Sequence, residues 1–161
     1  MKIIVLIISF LLEGVISNFV SINGFMAPLF TLVALIIIYP LFDEASEYYK
    51  YAFVTGLVYD LFYTDTIIFH AIIFCFMAFI ITRMNLVLSD NYINLLIIMA
   101  VCILIYRTFT YSLLVLVSSM SFSFVALLLS VLKSLIINLI YSAILFFVLK
   151  KFRRKSKYSL Q

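Results

Sequence analysis

Long apolar runs alternate with short polar breaks along the whole chain. Each run is about 16–28 residues long, and a helix needs about 20 residues to cross a hydrocarbon layer about 30 Å thick. The pattern therefore predicts an all-α integral membrane protein, a single six-helix bundle at about residues 1–149 followed by a basic tail at about 150–161. The predicted spans lie at about residues 3–20, 26–42, 48–63, 66–84, 92–118 and 122–149.

The composition favours a membrane protein over a soluble one. The chain is 67% hydrophobic and 11% charged, with a mean hydropathy of +1.30, whereas soluble domains are about 45–50% apolar. The first run resembles a secretory signal in length, but Glu13 interrupts it and no clear small-residue cleavage site follows. We therefore interpret it as the first span.

The distribution of basic residues predicts the orientation. Six of the eleven Lys and Arg residues lie within 150–157, which places the C-terminus in the cytoplasm by the positive-inside rule. Six spans then place the N-terminus there too, with Lys2, Lys50 and Arg83 on the same side. We expect the basic tail to attract anionic membrane lipids. We expect no nucleic-acid binding, because the chain has no folded basic module to carry it.

Five ionisable residues fall within the predicted spans, where a charge is costly and usually faces the bundle interior. We predict a network in which the acids Glu13 and Asp60 meet the bases Arg107 and Lys133 at similar depth. Two alternatives stay open: snorkelling bases with neutral acids, or a proton or ion pathway. His70 is interpreted as a hydrogen-bonded packing residue rather than a proton relay.

Two stripes predict close helix packing. Ala52, Gly56 and Asp60 recur every four residues and share one face of the third span, where small residues let helix backbones approach. The sixth span carries a narrow polar face made of Ser130, Ser134, Asn138 and Ser142. We interpret both as helix-packing or partner faces, and a substrate path along the sixth span is the open alternative.

The residue patterns that carry catalysis are largely missing. The sequence has no Gly-rich phosphate loop, no Ser-His-Asp arrangement with supporting context and no His-x-x-x-His pair. Asp60 and Asp65 could form an aspartyl dyad, but nothing around them supports one. Cys75 and Cys102 lie in spans and are interpreted as packing residues. We therefore predict no enzyme activity, no catalytic or metal-binding residue and no cofactor.

The segment YYKYAFVTGLVYDLFYTDTIIFHAIIFCFMAFII, residues 48–81, resembles the central signature of the MreD family, the small membrane component of the bacterial rod-shape machinery. That signature is a Gly-x-x-x-Asp helix end, a short turn and a following apolar helix. Gly56, Asp60 and Leu61 occupy the matching positions, and YDLFYT looks like versions from low-GC Gram-positive bacteria. Ile68 stands where the family usually has Gly.

Two further positions outside that segment are similar to the family pattern. Pro28 opens the second predicted span, and Asn138 lies where the last helix usually carries Asn. Lys133 departs from the pattern, because that part of the last span is usually apolar or Pro.

The resemblance implies a multi-pass protein of the bacterial plasma (inner) membrane and a non-enzymatic role. It implies a scaffold that binds MreC and supports peptidoglycan synthesis and cell shape, together with the RodA polymerase, its penicillin-binding transpeptidase and, indirectly, MreB. The family is also similar in fold to the substrate-binding component of energy-coupling-factor vitamin transporters. Vitamin transport is therefore the alternative function.

Overall fold

Six α-helices form the part of the chain that the computed structural model describes, which is residues 1–20, 28–64, 68–88, 91–118 and 121–158. A 3₁₀ turn, Tyr39–Leu41, continues the second of them. The helices are α1 (Lys2–Val20), α2 (Phe30–Ile38), α3 (Ala45–Tyr63), α4 (Phe69–Val87), α5 (Tyr92–Ser118) and α6 (Phe124–Tyr158). No strand occurs within the described ranges, so the all-α prediction is confirmed.

Three of these helices are long and apolar enough to cross a membrane. They are Phe69–Val87, Tyr92–Ser118 and Phe124–Lys150. Large apolar side chains project outward from them: Ile72 is 63% exposed, Leu116 is 78% exposed and Phe147 is 64% exposed. Contiguous apolar surface of this kind is unfavourable in water and fits a lipid environment.

The second helix is shorter than the sequence pattern predicts. The predicted span covered residues 26–42, but α2 begins at Phe30 and has nine residues, which is about 14 Å of helix. Every residue of α2 is buried, and the helix contacts α1, α4, α5 and α6. A helix that is buried on all sides is apolar on all sides, so its hydropathy is as high as that of a lipid-exposed span. Residues 26 and 27 lie outside the described part.

The remaining helix boundaries differ less from the prediction. Helix α5 coincides with the predicted span 92–118, and α3 begins three residues before the predicted start at 48. Helix α4 begins at Phe69 rather than 66, although 66 and 67 lie outside the described residues. Helix α6 continues past 149 to Tyr158, so the basic segment extends the helix.

The starts of α1, α3 and α5 and the ends of α2 and α6 lie together at one end of the bundle. Lys2 Nζ lies 3.2 Å from a carboxylate oxygen of Glu47 at the start of α3 and 4.0 Å from the ring centroid of Phe42. Lys150 of α6 and Tyr92 of α5 line a cavity together with the turn that follows α2. We call this the Lys2 end. The odd-numbered helices therefore run away from it and α2 and α6 run toward it.

Candidate functional site

The start of α2 lies inside the bundle and takes its cap from another helix. The Thr31 backbone N–H donates to Glu13 Oε2 at 2.8 Å, and the Thr31 hydroxyl donates to the same oxygen at 2.6 Å. The first N–H groups of a helix have no partner within the helix, and the N-cap residue here, Leu29, offers no side-chain acceptor. Glu13 on α1, only 1% exposed, supplies that acceptor at the positive end of the helix dipole.

A second polar side chain binds the same helix start from α6. The Leu29 N–H donates to Asn138 Oδ1 at 2.9 Å, and Asn138 Nδ2 donates to the Ser134 carbonyl oxygen at 2.8 Å. The Ser134 hydroxyl in turn accepts a hydrogen bond from Arg107 Nη2 at 3.1 Å. Asn138 and Ser134 are fully buried. The polar face that the sequence places on the sixth span is therefore turned inward, against α2 and α5.

The start of α4 is capped in the same way, by Asp60 of α3. The His70 N–H donates to Asp60 Oδ2 at 2.9 Å and the Ala71 N–H donates to it at 3.3 Å. His70 Nδ1 also lies 2.7 Å from Asp60 Oδ1. The N-cap residue of α4 is Ile68, which makes no side-chain cap. Asp60 is 4% exposed, and its carboxylate provides the acceptor that α4 lacks.

Tyrosine side chains connect the two caps. The Tyr59 hydroxyl donates to Glu13 Oε1 at 2.8 Å, and the Tyr59 ring centroid lies 4.7 Å from that of His70. The Tyr106 hydroxyl lies 3.0 Å from His70 Nε2. With Asp60 accepting from Nδ1, Nε2 is an acceptor and Tyr106 donates. We call the connected set the capping cluster: Glu13, Thr31, Tyr59, Asp60, His70, Tyr106 and Asn138.

Glu13 and Asn138, which cap the start of α2, lie well inside the bundle. Glu13 follows Lys2 by eleven residues on α1, and Asn138 precedes Lys150 by twelve residues on α6, which places both about 16–18 Å from the Lys2 end. A carboxylate and an uncapped helix start are each costly at the centre of a hydrocarbon layer about 30 Å thick. Joining them removes both costs, which explains how buried acids are tolerated here.

Gly56 sets the distance between α3 and α4. A Cβ atom placed on Gly56 would lie 2.5 Å from the His70 carbonyl oxygen and 2.7 Å from the Ala71 nitrogen, both of them backbone atoms. Only glycine permits this approach, and the approach brings the first turn of α4 within reach of Asp60. The buried residues of α3 recur every fourth position: Tyr48, Ala52, Gly56 and Asp60. The predicted Ala52–Gly56 face is thus used for packing within the bundle.

Contacts are described for three of the four predicted network residues, Glu13, Asp60 and Arg107. The described contacts of Asp60 are with Thr64, His70 and Ala71. Arg107 donates a hydrogen bond to the Ser134 hydroxyl, and the Glu13 carboxylate attracts it electrostatically. Lys133 is half-buried on α6, next to Ser134. A mutual network of all four charges stays a prediction.

Of the remaining predicted residues, two are buried and one is exposed. Pro28 is buried two residues before α2 begins, and Ser142 is fully buried and donates to the Leu139 carbonyl at 2.9 Å. Leu61, next to Asp60, is 80% exposed and lies on the outward-facing side of α3.

Sequence reasoning missed Thr31, Tyr59 and Tyr106, and it did not pair His70 with Asp60. The residues at the helix starts contain one signal that such acceptors are needed. An apolar N-cap such as Leu29 or Ile68 inside a membrane protein requires an acceptor from elsewhere in the fold. Which residue supplies that acceptor depends on helix neighbours, which the sequence pattern does not specify.

The geometry of the capping cluster is not typical of a metal site or of a site with a catalytic nucleophile. Among the described residues, no group of three or more His, Cys, Asp or Glu side chains is placed to hold a metal ion. The acids of the cluster accept hydrogen bonds from backbone N–H groups, which is the chemistry of helix capping.

A family model for the rod shape-determining protein MreD matches residues 1–156. The chain belongs to the MreD family. It is therefore a rod shape-determining membrane protein, and the likeness found in residues 48–81 extends over nearly the whole chain. Searches of curated proteins and of solved structures found no significant match.

The residues that resemble the family pattern have identifiable structural roles in this MreD-family protein. Gly56 and Asp60 form the α3–α4 contact and its cap, and Asn138 binds the start of α2. Ile68, at the position where the resemblance to the family implies Gly, has a φ of 70°. This left-handed conformation is unfavourable for a β-branched residue and free for glycine.

Ile68→Gly is expected to stabilise the protein by about 1 kcal/mol, because a left-handed conformation costs an L-residue roughly 1–2 kcal/mol. The measurement is the free energy of unfolding by reversible SDS titration in mixed micelles. Ile72→Gly is the matched control, since Ile72 is an exposed residue inside α4, and there glycine should destabilise by about 1 kcal/mol. Equal effects of the two substitutions would contradict the argument.

Proposed function

We propose that this protein is a non-enzymatic scaffold of the bacterial cell-wall elongation machinery. It binds MreC in the plasma membrane and supports peptidoglycan synthesis by RodA and its penicillin-binding transpeptidase, with MreB engaged indirectly from the cytoplasm. Membership of the MreD family supports this proposal most directly.

The use of the buried polar groups also supports a structural role. Glu13, Asp60 and Asn138 direct their acceptor oxygens at the backbone of α2 and α4. They hold helices together instead of presenting acids to a cavity. A rigid bundle with an apolar exterior is suited to assembly with other membrane helices, since packing and shape drive such association in lipid.

We further propose that the chain crosses the membrane six times, with both termini in the cytoplasm. The Lys2–Glu47 contact and the position of Lys150 place basic residues of α1 and α6 at one end, as the positive-inside rule expects of a cytoplasmic face. Residues 26–42 would form the second crossing, with α2 in its inner part. A periplasmic-type reporter that is active when fused after Gln161 would overturn this topology.

The scaffold proposal is tested by recovering MreC with the tagged full-length protein from gently solubilised membranes. We expect MreC to co-purify, whereas an unrelated single-span membrane protein expressed at the same level should not. Photo-crosslinking residues at Ile4, Val54 and Leu116, which are all more than half exposed, should then identify the helix that faces MreC. No recovery of MreC, and no crosslink from any position, would refute the proposal.

The vitamin-transport alternative rests on similarity of fold alone, which does not establish function. We therefore do not propose it as the function of this chain.

A further inference from the structure

A cavity of about 620 Å³ opens at the Lys2 end. It lies between the end of α2, the last turn of α4, the start of α5 and the end of the apolar part of α6. Its volume is within the range of about 300–1,000 Å³ that is typical of small-molecule sites. The lining residues Ile36 and Phe146 lie about 8 Å and about 12 Å along their helices from Thr31 and Asn138 of the capping cluster. No residue of the capping cluster lines the cavity, so the two are separate features.

The lining of the cavity has two chemically different parts. One wall is apolar and includes Ile36 and Ile37 of α2, Leu95 and Ile98 of α5, and Phe146 of α6. The rim is polar: Asn85, Asn91, Asn94 and Lys150. An occupant that fits both parts has an apolar portion and a hydrogen-bonding head.

The positive charge at the rim favours an occupant whose head group is negatively charged. Lys150 is the one charged side chain among the described lining residues, and its Nζ lies 5.9 Å from the ring centroid of Phe146. The N-terminal end of α5 also faces the cavity, and the positive end of a helix dipole favours an anion.

We propose that this cavity binds an anionic glycerophospholipid. The phosphate lies at Lys150 and the asparagine side chains, and an acyl chain lies along the wall made by α2 and α5. Assigning the lipid to the cytoplasmic leaflet rests on the topology proposed above, but the binding itself does not. A soluble phosphate compound would leave the apolar wall open to water, so the lipid is the occupant that covers it.

Lipid binding is tested by native mass spectrometry of the full-length protein released from detergent, titrated with phosphatidylglycerol and with phosphatidylcholine of the same acyl chains. We expect the protein to retain phosphatidylglycerol preferentially. Lys150→Gln should weaken phosphatidylglycerol binding about fivefold, as expected for one basic residue near an anionic headgroup. Lys157→Gln removes the same charge about 10 Å further along α6, and it should change binding less than twofold.

The apolar half of the site is tested by filling it. Leu95→Trp inserts a large ring into the cavity wall and should abolish retention of the lipid. Ile97→Trp is the control, because Ile97 is 45% exposed on the same helix and is not among the cavity-lining residues, and it should retain wild-type binding.

Three results would overturn the proposal. The first is equal retention of the two lipids, and the second is an equal effect of Lys150→Gln and Lys157→Gln. The third is displacement of the lipid by millimolar inorganic phosphate or glycerol phosphate, because it would indicate an anion site without a role for the acyl chain. Since all arms use the purified chain, they are independent of whether MreC co-purifies.

Discussion

Asp60→Ala is expected to destabilise the protein by about 3–5 kcal/mol, the largest effect of any single substitution that we predict. The backbone N–H groups of His70 and Ala71 and the His70 ring all lose their acceptor at once. Each buried polar group left without a partner costs about 1–3 kcal/mol, and Asp60 and His70 are only 4% and 5% exposed, so water has little access to replace the lost acceptor. The free energy of unfolding by SDS titration measures the loss, and the amount of folded protein in membranes should fall with it.

Two companion variants separate capping from charge. Asp60→Asn keeps one carbonyl acceptor for the start of α4, so we expect it to lose about half as much stability as alanine. Asp43→Ala makes the same atomic change at an exposed position and should cost less than 0.5 kcal/mol. If Asp60→Ala were as mild as Asp43→Ala, Asp60 would not be the cap of α4.

Gly56→Ala is expected to destabilise the protein by about 1–3 kcal/mol, although alanine is the better helix former. The new methyl group would meet backbone atoms of His70 and Ala71, which cannot move away as a flexible side chain can. Separating α3 from α4 would also lengthen the hydrogen bonds from the start of α4 to Asp60. The melting temperature in detergent and the SDS unfolding free energy should both fall.

Gly14→Ala is the matched control for this prediction. A Cβ on Gly14 would contact only the ring and hydroxyl of Tyr63 among its nearest atoms, and Tyr63 is 36% exposed. Because that side chain can rotate, we expect a change within about 1 kcal/mol in either direction, as the gain in helix propensity offsets the shift. A larger loss for Gly14→Ala than for Gly56→Ala would contradict the proposed backbone contact.

These substitutions also distinguish structural from functional effects on cell shape. Asp60 and Gly56 act on the stability of the bundle, so their variants should reduce MreC recovery only in proportion to the folded protein that remains. A loss of MreC from protein that is folded to the wild-type level would instead assign the α3–α4 contact a direct part in partner binding.

The sequence by itself determined the class of protein. The apolar runs are too long and too numerous for a soluble core, and the positions of Lys and Arg carry an orientation signal. The spacing of Ala52, Gly56 and Asp60 placed them on one buried face, because residues four apart share a side of a helix. The Gly-x-x-x-Asp segment pointed to the MreD family, which the match over residues 1–156 confirms.

The tertiary structure alone decided what the buried acids bind and how long α2 is. Hydropathy measures how costly it is to bury each side chain. An uncapped helix start is costly because its backbone N–H groups have no acceptor, and hydropathy does not measure that cost. Glu13 and Asp60 accept hydrogen bonds from the starts of α2 and α4, which the sequence did not predict, and their network with Arg107 and Lys133 stays a prediction. The partner of a buried acid depends on which helices are neighbours, and that is fixed only when the whole bundle packs.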